Sequence, residues 1–406
     1  MGKLACAILI VVILVGGLVL VGDARFGMAQ VSTEVKGIIS SDTTWTKANS
    51  PYVFSGVIAV DNGVTLTIEA GTTVNMRGSY LQVNGTLDAR GTNDDKIYFS
   101  GRIVFTSLSS NWNELTATGC IIEHAVFSAP VEVNNASPKI NNNFFTDTNN
   151  LYFMLTVSGG SPIISNNTFI GAGISGTSDG SPVISNNNLT SGGIAFSSRG
   201  SLLISNNTVT GNNDVGIFCG DSNNVFISGN VVSGCLTGIS TGAGGTATIE
   251  SNFVLNNTIG IAVWSQATIR NNTITNNGVG IKLNQSPAST IIYNNIQGYG
   301  QESLYLYGTS SNIDAAHNWW GTTDPQAINQ TIYDSKNDFN LGTVNFIPFL
   351  TEPNPQAPST FAPSPSESPT STPSASPTIP EFPSAILLAA LFTATLALSV
   401  FFKRKK

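Results

Sequence analysis

The chain is 406 residues long, 10% charged and 41% hydrophobic, with 40 glycines, four cysteines and a formal net charge of −7. That apolar content excludes an intrinsically disordered chain, and an aromatic share of 9% with little leucine is unlike an ordinary helical enzyme. Four cysteines do not make a disulfide scaffold, and Lys and Arg are scattered instead of gathered into the basic stripe that nucleic-acid binding needs.

Met1-Gly2-Lys3 leads into an almost unbroken apolar run from Leu4 to Gly22, followed by Gly27-Met28-Ala29, small residues suited to signal-peptidase cleavage. Residues 1–29 are therefore expected to be a secretory signal peptide; the alternative is an uncleaved anchor, because the run is long for a signal core. From Val35 to about Gly101 come short alternating runs bounded by Gly and Asn, such as Val64-Thr65-Leu66-Thr67-Ile68 and Tyr80-Leu81-Gln82-Val83, which read as strands. Trp45, Tyr52 and Phe54 are expected to cap the open edge at which these strands begin. Residues 102–160 keep the pattern less regularly.

From Ser161 to Leu306 one phrase recurs: Ile164-Ser165-Asn166-Asn167-Thr168-Phe169, Ile184-Ser185-Asn186-Asn187, Ile204-Ser205-Asn206-Asn207, Ile269-Arg270-Asn271-Asn272. Indexed on the second asparagine, the series runs Asn143, Asn167, Asn187, Asn207, Asn230, Asn252, Asn272, Asn295 and Asn318, at spacings of 20 to 24 residues. A second phrase follows each index: Gly173-Ile174, Gly193-Ile194, Gly216-Ile217, Gly238-Ile239, Gly260-Ile261, Gly280-Ile281. Apolar residues alternate within each unit, Ile and Val dominate over Leu, and the rest is turn chemistry. Three short strands separated by turns fit each unit, so the repeat reads as one coil of an all-β parallel β-helix, and a coil this long favours the right-handed form.

These phrases, with the closing His317 to Pro325 (HNWWGTTDP) and the early Gly63 to Gly91 (GVTLTIEAGTTVNM…LQVNGTLDARG), resemble right-handed parallel β-helix proteins of the pectate-lyase-like superfamily, particularly those with NosD-type repeats. The resemblance covers residues 35–350 and implies the fold; the superfamily contains lyases, hydrolases, adhesins and modules without chemistry, so it assigns no activity. About 13 coils at ~4.8 Å each would make a rod ~60 Å long.

Stacking turns equal offsets into neighbours. Glu250 and Arg270, and Asp179 and Arg199, fall on consecutive coils and are expected to pair. Asn213, Cys235, Asn257 and Asn277 form a turn column in which asparagine side chains can hydrogen-bond along the axis. Cys219 and Cys235 occupy different columns and are expected to stay unpaired, buried thiols.

Trp319-Trp320-Gly321 mark the end of the solenoid, with the tryptophans read as cap packing over a sugar platform. Asp324-Pro325 opens a short helix to about Tyr333, and a last strand is expected near Thr343 to Phe349. Residues 351–380 are a Pro/Ser/Thr-rich linker, read as an extended stalk. Residues 381–406 carry an apolar run from Ser384 to Phe402, long enough to span a bilayer, and the basic end Lys403-Arg404-Lys405-Lys406, which would stay cytoplasmic. Pro380-Glu381-Phe382-Pro383 with this helix and basic end resembles the PEF-type sorting signals of archaeal surface proteins. That resemblance implies recognition by a membrane enzyme and replacement of the helix by a lipid anchor; a plain transmembrane anchor is the other reading. The expected location is the outer face of the cell membrane, held by the C-terminus.

The chemistry expected of the surface is sparse. β-Helix lyases need clustered acids for calcium and a basic residue, and hydrolases need close carboxylates. Between Lys139 and Ser303 the acids are Asp147, Asp179, Asp214, Asp221, Glu250 and Glu302, two of them facing an arginine and the rest at scattered offsets. No catalytic, cofactor or metal residue is therefore assigned, and His124 and His317 are far apart. N-glycosylation sequons stand at Asn84, Asn135, Asn166, Asn188, Asn206, Asn256, Asn271, Asn284 and Asn329, with Asn284 and Asn329 expected in loops and hence best placed. The leading expectation is a surface-anchored, non-catalytic binding, adhesion or envelope-structural protein, with glycans or surface-layer protein as partners and no cofactor. The alternative is a polysaccharide lyase or hydrolase.

Overall fold

The computed structural model describes residues 32–147, 151–286 and 289–359. Alternating apolar residues make each unit three strands, as in Ile163–Ser165, Thr168–Ile170 and Gly173–Ser178, then Val183–Ser185, Asn188–Thr190 and Ile194–Ser198. Each strand pairs in parallel with its counterpart one coil away, giving a 14-stranded and a 25-stranded sheet that wind into an all-β solenoid of about 13 turns.

The register turns the repeated letters into columns of core side chains. Ile140, Ile164, Ile184, Ile204, Ile227, Ile249, Ile269 and Ile291 stack along one sheet. Ile174, Ile194, Ile217, Ile239, Ile261 and Ile281 stack along the other, all buried. Between them Phe99, Phe127, Phe145 and Phe169 form an aromatic pile with ring centroids 5.1, 4.6 and 4.5 Å apart. Offset stacking of this kind adds to the ordinary gain from burial. The glycine of each Gly-Ile phrase is required by close approach: a Cβ on Gly238, Gly260 or Gly280 would stand 2.5–2.6 Å from the carbonyl oxygen of the next coil.

The two asparagines of the repeat divide the labour at one corner. The first adopts the left-handed region, as at Asn142, Asn166, Asn186, Asn206 and Asn271, and where asparagine is missing Gly229, Ser251, Tyr293 and His317 take that place. The second is buried. Its Oδ1 accepts the backbone N–H and the Nδ2–H of the preceding coil's asparagine, and its own Nδ2 also donates to an isoleucine carbonyl. This ladder runs Asn143, Asn167, Asn187, Asn207, Asn230, Asn252, Asn272, Asn294 and Asn318. Buried polar groups are tolerated here because every coil supplies their partners.

Several expectations are corrected. The ladder passes through Asn294, not Asn295, because Tyr293 takes the turn and shifts the count by one; Arg270 consequently faces Ile292. In the second corner the column is Asn212, Cys235, Asn257 and Asn277, since the Asn212 backbone donates to the Cys235 thiol where its neighbours donate to asparagine Oδ1. The helix is Pro325–Gln330, capped by Asp324 Oδ1 accepting from Gln326 N at 2.9 Å; Ile332–Tyr333 instead forms a strand on Leu304 and Tyr305, and the last strand is only Val344–Asn345. Residues 351–359, read as the start of the stalk, pack on the solenoid. The paired columns hold: Glu250–Arg270 at 2.6 Å and Asp179–Arg199 at 3.6 Å. Trp45 stacks on Tyr52 at 4.9 Å with Phe54 edge-on, forming the first core layer, and Trp320 is buried at the far end while Trp319 donates to Gln297 Oε1 at 3.1 Å.

Candidate functional site

A cleft of about 510 Å³ opens on the 25-stranded sheet, lined on one side by Asp147, Leu151, Tyr152 and Phe153 and on the other by the turn from Gly211 to Val215. Its floor is low because small residues occupy it: Gly171, Ser191, Gly192 and Gly193 at the corner and Ala195 on the sheet. Phe218 rises from that floor. The strand Val215–Cys219 points Ile217 and Cys219 inward, so Phe218 faces out, in the row Ser175, Ala195, Phe218, Ser240, Ala262. Tyr152 is 79% and Phe218 38% exposed, which is costly for large rings unless something covers them.

Two carboxylates line the cleft, Asp147 and Asp214, and none of its lining residues is Lys or Arg. The corner hydrogen bonds Asp147 N to Ile170 O, Gly171 N to Thr190 O and Ser191 N to Thr210 O step through three coils, from Asp147 to the corner that begins the Asp214 turn. Three steps of ~4.8 Å separate the two acids by about 14 Å along the axis. Acid and base of a glycosidase stand about 5 to 9.5 Å apart. The backbone offset of the two acids along the axis is thus larger than that range. The acidic lining favours a neutral or cationic ligand over a polyanion.

The same outward row continues from Ala262 to Lys282, Tyr305 and Tyr333. Lys282 Nζ lies 4.8 Å from the Tyr307 ring and 5.5 Å from the Tyr305 ring, and Tyr305 stacks on Tyr333 at 4.7 Å. Burial raises the Tyr305 hydroxyl above its usual range, with the neighbouring Tyr333 and Glu302 adding to the effect, so this phenol is neutral.

The remaining sequence candidates are dispersed. Asp214 enters the cleft, and Asp147 joins it although the two differ in offset; Asp179, Asp221, Glu250 and Glu302 are not among its lining residues. His124 and His317 both occupy left-handed turns, His317 stacked on Tyr293 at 5.4 Å. Among the described residues no three His, Cys, Asp or Glu side chains gather as metal ligands. Cys120, Cys219 and Cys235 are free and buried; burial pushes the Cys219 thiol up to about 12 and that of Cys120 to about 11, which leaves both unreactive at neutral pH.

Asn284 is not in a loop: it ends the strand Val279–Asn284, pairs with Tyr307 on the next coil and is 4% exposed. Asn329 is exposed on the short helix, and the exposed sequon asparagines of the repeat are the turn residues Asn166, Asn206 and Asn256 and the strand residue Asn188. Pro380, Glu381, Phe382 and Pro383 lie outside the described residues, as do residues 1–29. Among the described residues no helix is long and apolar enough to cross a membrane.

The architecture defines a right-handed parallel β-solenoid. The family model for a right handed beta helix region matches residues 172–320, which hold the ladder from Asn187 to Asn318 and the cleft floor from Ser191 to Ala195. Among solved structures, the chain is similar to the periplasmic alginate epimerase AlgG, at 14% identity over 77% of this chain and 82% of that chain, with a TM-score of 0.43. A double mutant of the same epimerase matches at 13% identity over 77% of each chain, with a TM-score of 0.39. No residue of that epimerase is carried over to this chain. A search of curated proteins finds no match.

Proposed function

We propose that the chain is a cell-surface β-solenoid that binds carbohydrate without cleaving it. The signal peptide and the C-terminal sorting or transmembrane segment read from the sequence supply secretion and anchoring, and the cleft between Tyr152 and Phe218 supplies recognition. The observation that carries the reading is the cleft itself: exposed rings over a floor of small residues, with two carboxylates contributed by coils three steps, about 14 Å, apart along the axis. Sugar rings have apolar faces for Tyr152 and Phe218 and hydroxyls for Asp147 and Asp214, the mix of apolar walls and few polar groups usual in ligand sites. The row leading to Lys282 and Tyr305 gives an elongated neutral glycan a straight path along the axis.

A glycan array probed with the soluble part of the chain tests this. Binding to a neutral glycan is expected, weakened about tenfold or more by Phe218→Ala, the loss of roughly one buried ring face. Failure to bind any glycan, cell-envelope or surface-layer preparation overturns the reading. The alternative, a polysaccharide lyase or hydrolase, is favoured by one observation, that Asp147 and Asp214 share the cleft, and it requires product release that depends on them.

A further inference from the structure

After Leu350, whose backbone N–H donates to Asn318 O at 2.9 Å, the chain reverses and runs back along the flank of the rod. At Asn354 it meets the coil of the Asn294 ladder position. Asn354 N donates to Asn295 Oδ1 at 2.7 Å, and Asn295 Nδ2 returns a bond to Asn354 O at 3.1 Å. The Asn354 side chain donates to Tyr293 O at 2.6 Å and to Asn271 Oδ1 at 3.1 Å, thereby joining the turns of two consecutive coils. Gln356 N closes an Asx turn on Asn354 Oδ1 at 3.0 Å, and Pro358 O accepts from Thr273 Oγ1 at 2.6 Å, one coil further back.

The underlying row shows what this covers. Asn188, Thr208, Val231, Phe253, Thr273 and Asn295 are equivalent outward positions on successive strands. Asn188 is exposed, whereas Thr273 and Asn295, beneath the returning segment, are buried, as are Asn354 and Ala357 within it.

We propose that residues 351–359 are a strap that locks the coil of Asn272 to the coil of Asn294 and holds Pro358 against Thr273 on the flank of the rod, not at its tip. A solenoid is a one-dimensional stack whose end coils have one neighbour each, so its ends fray first. The strap ties the final coils to one another through side chains outside the β-ladders. Its contacts lie in series with whatever continues from residue 360: tension entering through that chain loads Pro358 first, then Asn354, and reaches the coils only after both have released.

Hydrogen exchange on the full chain, read by mass spectrometry, tests the strap. Asn354→Ala removes two side-chain donors, each worth about fivefold in an equilibrium. Amides in residues 290–320 and at Leu350 should then exchange about tenfold or more faster, while those of residues 163–255 keep the wild-type rate. Thr273→Val, which removes only the bond to Pro358 O, should accelerate the same region by about fivefold or less, and Glu352→Ala, an exposed residue of the strap, should leave it at the wild-type rate. Unchanged exchange in residues 290–320 for Asn354→Ala, or equal acceleration along the whole rod, overturns the proposal. Glycan binding in the cleft is a separate readout, so failure of the strap and failure of the binding reading are distinguishable.

Discussion

The coils before and after Asn143 close the same corner by different means. At the earlier side the corner holds Ala125, whose backbone N–H donates to Asn143 Oδ1, and the surrounding surface is braced by charge: Lys47–Asp95, Arg90–Asp88, Arg102–Glu132 and Lys139–Glu114. Arg90 and Lys139 also both lie against the Trp112 ring, at 5.5 and 5.2 Å, clamping the loop of residues 106–119. From Asn143 to Asn318 the corner is a buried polar ladder, and among the described residues of these coils the charge pairs thin out to Asp179–Arg199 and Glu250–Arg270. Surface pairs tolerate irregular coils but contribute little each. A buried ladder contributes more and demands that every coil repeat the same residue, which is why the second region is the one that reads as a repeat.

Breaking the ladder should have the largest effect. Asn207→Ala leaves the Asn187 backbone N–H and Nδ2–H without their acceptor and the Ile184 carbonyl without its donor, and is expected to destabilise by about 3 kcal/mol or more, read from the denaturant midpoint. Its neighbour sharpens the contrast: Asn206→Ala keeps the ladder but puts alanine at φ 56°, for about 1 kcal/mol, and Asn206→Gly should restore stability. Smaller still is Arg270→Met, which removes the 2.6 Å pair with Glu250; less than about 1 kcal/mol is expected, shrinking further in high salt. Last, the buried Cys219 thiol, pushed up to about 12, should resist alkylation at pH 8 in the folded protein and react only on unfolding. Because its folded value is raised above the ordinary 9.0, its contribution to stability is full below pH 9 and is lost as pH rises toward 12.

The three-strand coil, its parallel stacking and the charge pairs were legible because a fixed period converts offsets directly into neighbours. The same rule slipped where composition varied at constant geometry. Tyr293 fills a turn usually held by asparagine, so counting asparagines selected Asn295 when the strand-preceding position is Asn294. Asn212 and Asn213 present the same ambiguity. The cleft was illegible for a different reason: it depends on Asp147, Leu151, Tyr152 and Phe153, which lie outside the regular phrase, and on two consecutive coils offering small floor residues together. The alternation that buries Ile217 and Cys219 did place Phe218 outward, and that parity was the one signal of the site in the sequence. The strap was not legible because a proline-rich composition reads as unstructured, while its attachment rests on two residues, Asn354 and Pro358.

The central claim, that the cleft holds a glycan without acting on it, is tested most directly by incubating the protein with a bound neutral polysaccharide and with a uronate polymer, calcium present, and following new reducing ends and unsaturated products over time. The account predicts retained binding of the neutral polymer and no product from either. Product that accumulates with the wild-type chain and disappears with Asp214→Asn would contradict it and make the cleft an active site.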